Sequence, residues 1–200
     1  LLKSQLENRI IKQKNISLIL ILFFCTIFAF FISISNGSYS ISLIDFIFQK
    51  NTDLERIILY DIRIPRVLLS FFVGAALSIS GASLQGLFRN PLAEPGLIGV
   101  SAGAALGAAT SIVIGSYVFN ETIQRFMLPI SAIIASILVI FILLIIIKKF
   151  RFNNIIYLLL AGIAINAFAG VGIGILTYIS DDSQLRDLTF WSMGSFNGAS

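Results

Sequence analysis

The chain has 200 residues, of which 57% are hydrophobic and only 12% charged, with a formal net charge of +4. Soluble domains run at about 45–50% apolar and about 25% charged, so this composition, with its mean hydropathy of +0.95, describes a membrane protein. The absence of histidine and the single cysteine, Cys25, leave no residues for His-based acid–base chemistry, a His or Cys metal cage or a disulfide framework. No catalytic and no metal-ligating residue is assigned.

In chain order, a basic start (Lys3, Arg9, Lys12, Lys14) leads into the uncharged run 16–35. Signal peptides have apolar cores of about 7–15 residues and a small-residue cleavage site. This run is longer and no Ala-x-Ala follows, so it reads as an uncleaved first span with Cys25 as an apolar helix residue. Four more uncharged runs follow at 67–88, 97–119, 127–147 and 155–179, each near or above the roughly 20 residues a bilayer core requires. The fold class is therefore an all-α integral membrane helix bundle, one domain over 1–200 with five spans. The connections are short except for 36–66, an outer loop that mixes an amphipathic piece (Ile41, Leu43, Ile44, Phe46, Ile47, Phe48) with acids and bases. The opening on Leu1 and the ending on Asn197-Gly198-Ala199-Ser200 suggest a piece of a longer chain.

With the N-terminus inside, the cytoplasmic side holds eight of the fourteen basic residues, Lys148, Lys149 and Arg151 hard against a span among them. Basic residues near span ends are retained in the cytoplasm, which places the N-terminus inside and the C-terminal end outside. The positive charge reads as anchoring to membrane lipid; no basic stripe interleaved with aromatics marks a nucleic-acid surface.

The densest block of signals surrounds the second span. Gly74, Ser78, Gly81 and Gln85 share one helical face; small residues there admit a neighbouring helix, while Gln85 needs a polar partner in a cavity or a loop. Arg89-Asn90-Pro91-Leu92-Ala93-Glu94-Pro95-Gly96 then stops the helix, because each proline lacks a donor and pushes its predecessor off the α region. The two prolines give a stiff cytoplasmic re-entry that sets Asn90 and Leu92 at the mouths of the second and third spans, as a rigid turn or as a gate. Gly99, Gly103 and Gly107 form a small-residue ladder on the third span, and Gly162, Asn166, Gly170 and Gly174 form another on the fifth. Ladders of this kind are common packing devices. Asn166 differs: a mid-span carboxamide bonds to another helix or lines a pathway. On the outer side, Arg63-Ile64-Pro65-Arg66 holds two charges in one stiff segment, either docking charges or arginines snorkelling to phosphate. Asp181, Asp182 and Asp187 around Arg186 read as a solvated outer loop, and Trp191 as an interfacial anchor.

These residues resemble the permease subunit of the FecCD-type ABC importers, which take up iron-siderophores, haem and cobalamin. The likeness runs through Arg63-Ile64-Pro65-Arg66, Gly74-Ala75-Ala76-Leu77, Ser80-Gly81-Ala82 with Gln85, Arg89-Asn90-Pro91-Leu92-Ala93-Glu94-Pro95, Gly99-Val100-Ser101, Leu160-Ala161-Gly162-Ile163-Ala164 and Phe190-Trp191-Ser192-Met193-Gly194-Ser195. It implies a subunit of about ten spans, of which five are here, working in the bacterial inner membrane as a homodimer with two cytoplasmic ATPase subunits and a periplasmic or lipid-anchored solute-binding protein. It further implies docking of the binding protein by Arg63 and Arg66, a cytoplasmic gate at Asn90, Pro91, Leu92 and Pro95, and pathway or helix-packing roles for Gln85, Gly99, Gly103, Gly107, Gly162, Asn166 and Gly170. The sequence has no Gly-x-x-x-x-Gly-Lys-Ser/Thr, so no cofactor is expected on this chain, and ATP and magnesium belong to partner subunits. An iron chelate or haem is the expected solute, with cobalamin as the alternative. An ion-coupled secondary transporter would place a charge inside a span, and a membrane enzyme would need a clustered acid–base set. The five runs hold neither.

Overall fold

Apolar runs of this length are helical because a backbone in lipid must satisfy its own hydrogen bonds. The computed structural model describes residues 2–37, 39, 52–118, 120–150, 155–196 and 198, and among these there are helices and turns with no strand. Five helices are long and apolar enough to cross a membrane: Ile16–Ser35, Asp53–Phe88, Val100–Val118, Thr122–Lys149 and Ile156–Ile179. The amphipathic piece at 41–48 and Arg151 lie outside the described residues. The chain divides into two compact units, Leu1–Gly74 with Phe196–Ser200, and Ala75–Ser195.

In the first unit, α1 (Leu2–Ser35) ends where the Asn36 main-chain N–H donates to the Ile32 carbonyl at 2.9 Å. The stretch 36–66, which reads as an outer loop able to hold surface structure of its own, is helical from Asp53 onward. α2 (Asp53–Ile57) is opened by a capping box: Glu55 N–H donates to Thr52 Oγ1 at 3.4 Å and Thr52 N–H to Glu55 Oε2 at 2.9 Å. These reciprocal bonds satisfy donors that a helix start otherwise leaves bare. The helix then widens into one π-helical turn (Ile58–Arg63) before continuing as α3 (Ile64–Phe88). Pro65 explains the widening. A proline inside an α-helix removes one bond and crowds the carbonyl four residues back, and the π turn, with Ile64 N–H donating to the Leu59 carbonyl, lets the helix run on through it. Leu59 on this turn is fully buried and packs with Ile34 near the end of α1, flanked by Phe30, Ile58, Ile64 and Val67.

In the second unit, a 3-10 turn (Pro95–Ile98) precedes α4 (Val100–Val113), followed by the short α5 (Gly115–Val118), α6 (Glu121–Phe150), α7 (Ile155–Ile179) and α8 (Asp182–Met193). The glycines of α4 set its distance from α6. A Cβ on Gly107 would lie 2.5 Å from the Ser131 carbonyl oxygen and 2.6 Å from Ala135 Cβ, and one on Gly103 would meet Val139. α7 approaches the other side of α4, where Leu106 fills the space left by Gly172. Ala109, Val113 and Leu176 form a buried cluster with Leu106, Ile173 and Leu188, so α4 is the central helix of this unit. Asp181, Asp182, Arg186 and Asp187, a solvated loop by composition, instead cap and open the helix α8. Its Asp181 carboxylate accepts from the Ser183 and Gln184 main-chain N–H groups, each at 2.9 Å, and Gln184 Oε1 accepts from Asp181 N–H at 3.1 Å. This is a second capping box.

Candidate functional site

The connection from α3 to α4 is built from the bottom by three kinds of bond. First, α3 ends in a Schellman-type closure: Asn90 N–H reaches the Gln85 carbonyl at 3.2 Å and Arg89 N–H the Gly86 carbonyl at 3.4 Å. The residue that must turn left-handed for this closure is Arg89, with φ 49°, where a glycine is usual. Second, side chains brace the loop. Gln85 Nε2 donates to the Pro91 carbonyl at 3.0 Å, Asn90 Oδ1 accepts from Leu92 N–H at 2.9 Å, and Ala93 N–H donates to the Asn90 carbonyl at 3.1 Å. Ala93 is buried, whereas Leu92 is 83% exposed at the tip. Third, the Pro95–Ile98 turn is seated on α7. Asn166 Nδ2 donates to the Gly96 carbonyl at 3.0 Å. A Cβ on Gly162 would meet the Leu97 carbonyl oxygen and lie 2.7 Å from Ile98 Cα. Gly99, at φ 83°, would bring a Cβ to 2.8 Å from Ile165 Cγ2.

Gln85, Asn90, Pro91, Leu92, Pro95, Gly99, Gly162 and Asn166 are thus one contiguous cluster around a single connection. Gly103 and Gly107 continue away from it along the contact of α4 with α6. Gly170 is exposed and would meet nothing within 4 Å, as is true of Gly74 on α3; Gly81 is half-buried, and a Cβ there too would meet nothing within 4 Å.

Arg63 and Arg66 belong to the other unit. Arg63 Nη1 donates to the carbonyls of Ile34 at 2.7 Å and Ser35 at 3.1 Å, and its Nη2 donates to the Tyr39 carbonyl. The guanidinium therefore satisfies carbonyls that the end of α1 leaves without helical partners, and its cation suits the negative end of that helix. Gly37 makes room for it, since a Cβ there would fall 2.6 Å from Arg63 Nη2. Arg66 is half-buried beside Ser33, Asn36 and Val67 in a crevice that Arg63 also lines.

Sequence reasoning passed over two functional-looking features. Gln184, 5% exposed, donates through Nε2 to Ser116 Oγ at 2.8 Å and to the Val113 carbonyl at 3.3 Å. It ties α8 to the break between α4 and α5, and the signal that could have found it is the Asp181-x-x-Gln184 spacing. The same box holds the Asp181 carboxyl below its ordinary value of 3.8, chiefly through the bond from the Gln184 main-chain N–H and then through the Ser183 hydroxyl. The other is the left-handed φ of Arg89: the sequence places Arg89 at the head of the helix-stopping block, but nothing besides that place marks its conformation.

Five helices long and apolar enough to cross a membrane, with polar side chains that close one connection and one helix end, define a polytopic membrane protein. The chain belongs to the FecCD transport family, whose model matches residues 22–200. It is 48% identical over 139 residues to the hemin transport system permease protein HmuU of Yersinia pestis, covering 70% of this chain and 41% of that one. It is 36% identical over 187 residues to the vitamin B12 import system permease protein BtuC of Shigella boydii, covering 94% of this chain and 54% of that one. Among solved structures, it is similar to an inward-facing transporter described as of the metal-chelate ABC type, with a TM-score of 0.75 and 30% identity, over 92% of this chain and 55% of that one. The chain spans about half the length of these relatives.

Proposed function

We propose that this chain contributes the first half of the permease subunit of a binding-protein-dependent ABC importer for haem or another iron chelate. The observation that carries the reading is the family match over nearly the whole chain, joined to the braced connection between α3 and α4. The higher identity to a haem permease than to cobalamin permeases favours haem. Cobalamin is the second reading, favoured by the longer span of similarity to the B12 permeases. In this reading the complete subunit pairs with a second copy in the bacterial inner membrane, N-terminus cytoplasmic, and two ATPase subunits bias its helices between outward- and inward-open states. The permease supplies the path, while ATP and magnesium stay on the partners. Asn90 and Leu92 stand at the cytoplasmic end of that path. On the outer side Arg66 offers its charge to an acidic surface of the solute-binding protein, and Arg63 fixes the segment that carries it.

The test is uptake by cells lacking their own haem and cobalamin systems and supplied with the full-length permease, its ATPase and its binding protein. Labelled haem accumulates, and Arg66→Glu weakens binding-protein docking about tenfold, the effect of reversing one charge pair. Accumulation of cobalamin alone selects the second reading; accumulation of neither, with no co-purifying ATPase, removes both.

A further inference from the structure

Asn166 is the point where the α3–α4 connection meets the fifth span. Its amide nitrogen faces the Gly96 carbonyl at 3.0 Å across 70 positions of sequence. Because the partner is a carbonyl, the side chain must present its nitrogen there, which fixes the orientation of the amide. The glycines on either side of the contact matter as much. Gly162, one helical turn before Asn166, lets Leu97 and Ile98 rest directly on the α7 backbone, and Gly99 turns left-handed under Ile165. A residue with a side chain at 162 or 99 would lift the turn away. Upstream, the chain from Gly96 back to Leu92 is short and stiffened by Pro91 and Pro95, by the Asn90 Oδ1 bond and by Gln85 on the Pro91 carbonyl. Little slack separates a displacement at Gly96 from one at Leu92.

We propose that Asn166 is a positioning residue for this connection: it holds the Pro95–Ile98 turn on α7, so that the exposed Leu92 tip moves with the fifth span instead of independently of it. The proposal rests on the reading of the connection as the cytoplasmic end of the path. It gives that end its mechanical partner, and it assigns the Asn166 amide to the turn rather than to solute.

The experiment uses the full-length permease with its ATPase subunits in lipid bilayers, in a background without other cysteines. A nitroxide is attached at Leu92→Cys and, in a separate sample, at Ile133→Cys on the exposed face of α6, where Ile133 is 58% exposed. Replacing Asn166 by Leu keeps the side-chain size and removes the donor. Expected is a rise of about three- to fivefold in the mobile spectral component at position 92, the population change that loss of one hydrogen bond allows, with position 133 unchanged. Asn166→Gln, which retains a donor, restores part of the immobile component. Equal mobility at position 92 with Asn or Leu at 166 overturns the proposal, and so does equal loosening at both labels, which would mark Asn166 as a general packing residue. Failure of the permease reading has a different signature: unsubstituted protein that neither takes up solute nor engages an ATPase, whatever the label at position 92 reports.

Discussion

Arg89 carries a cost that its position explains. A non-glycine residue at φ 49° sits in the left-handed region, at roughly 1–2 kcal/mol, yet its main-chain N–H helps close the end of α3 and its charge sits beside that helix's negative end. The two effects are separable by substitution. Arg89→Gly removes the strain and keeps the closure, so it is expected to leave thermal stability unchanged or raise it. Arg89→Val adds β-branching at the same φ and is expected to lower stability by about 1–2 kcal/mol. Thermal unfolding of the two variants, monitored by fluorescence in detergent, decides between this account and one in which the Arg89 side chain is itself the stabilising group, where both variants would fall together. Polar residues elsewhere teach a related lesson. That Gln85 and Asn166 need partners is legible in the sequence, because a carboxamide within an apolar span cannot stay unbonded. Which partners they find is not, since the acceptors are main-chain carbonyls of Pro91 and Gly96, exposed by a turn whose path depends on the fold. Arg63 is the same case in reverse: an arginine beside a proline reads as a docking charge, while its carbonyl partners lie 28 and 29 positions upstream.

At the scale of elements, the five apolar runs fall on the five described helices long and apolar enough to cross a membrane, and what composition left open was the form of the charged segments beside them. α2 lies in a stretch that reads as an outer loop with room for surface structure of its own, and the start of α8, from Asp181 to Asp187, reads as a solvated loop. Each, however, begins with a capping box, Thr52-Asp53-Leu54-Glu55 and Asp181-Asp182-Ser183-Gln184, whose spacing was present in the sequence. The π turn before Pro65 was not legible, because proline there is equally compatible with a helix start. The glycine ladders divide by what faces them. Gly107 is closed in by the Ser131 main chain and Ala135, whereas Gly81 meets nothing in this chain within 4 Å. Gly107→Ala is therefore expected to push α4 and α6 apart and destabilise the 200-residue chain by about 1–3 kcal/mol. Gly81→Ala is expected to leave it unchanged or to stabilise it by up to about 1 kcal/mol through helix propensity. The pair is checked by thermal unfolding of this chain in detergent; equal losses would show that the two ladders are buried alike.

The whole molecule follows from where charge is permitted. In the second unit the hydrogen-bonded polar side chains collect at two places in the chain: the connection that Gln85 and Asn166 brace and, three helices that could cross the bilayer further on, the Asp181-capped α8. The apolar surface on the spans is extensive, with no buried residue on α3, as suits helices that meet lipid or further protein. Three crossings, by α4 with α5, by α6 and by α7, separate Leu92 from Met193 along the chain, and an odd number of crossings puts them on opposite faces whichever way the protein is inserted. The basic residues then predict the direction: Lys148 and Lys149 end α6, and if they are retained in the cytoplasm, Leu92 is expected inside and Met193 outside. Both positions are suitable reporters, at 83% and 74% exposed. With Cys25 replaced by serine, a membrane-impermeant maleimide added to intact spheroplasts is expected to label Met193→Cys and to spare Leu92→Cys until the membrane is opened. The opposite pattern would reverse the orientation and move the Arg63–Arg66 segment to the cytoplasm, out of reach of a binding protein. Labelling of both from one face would mean that one of the three helices between them does not cross.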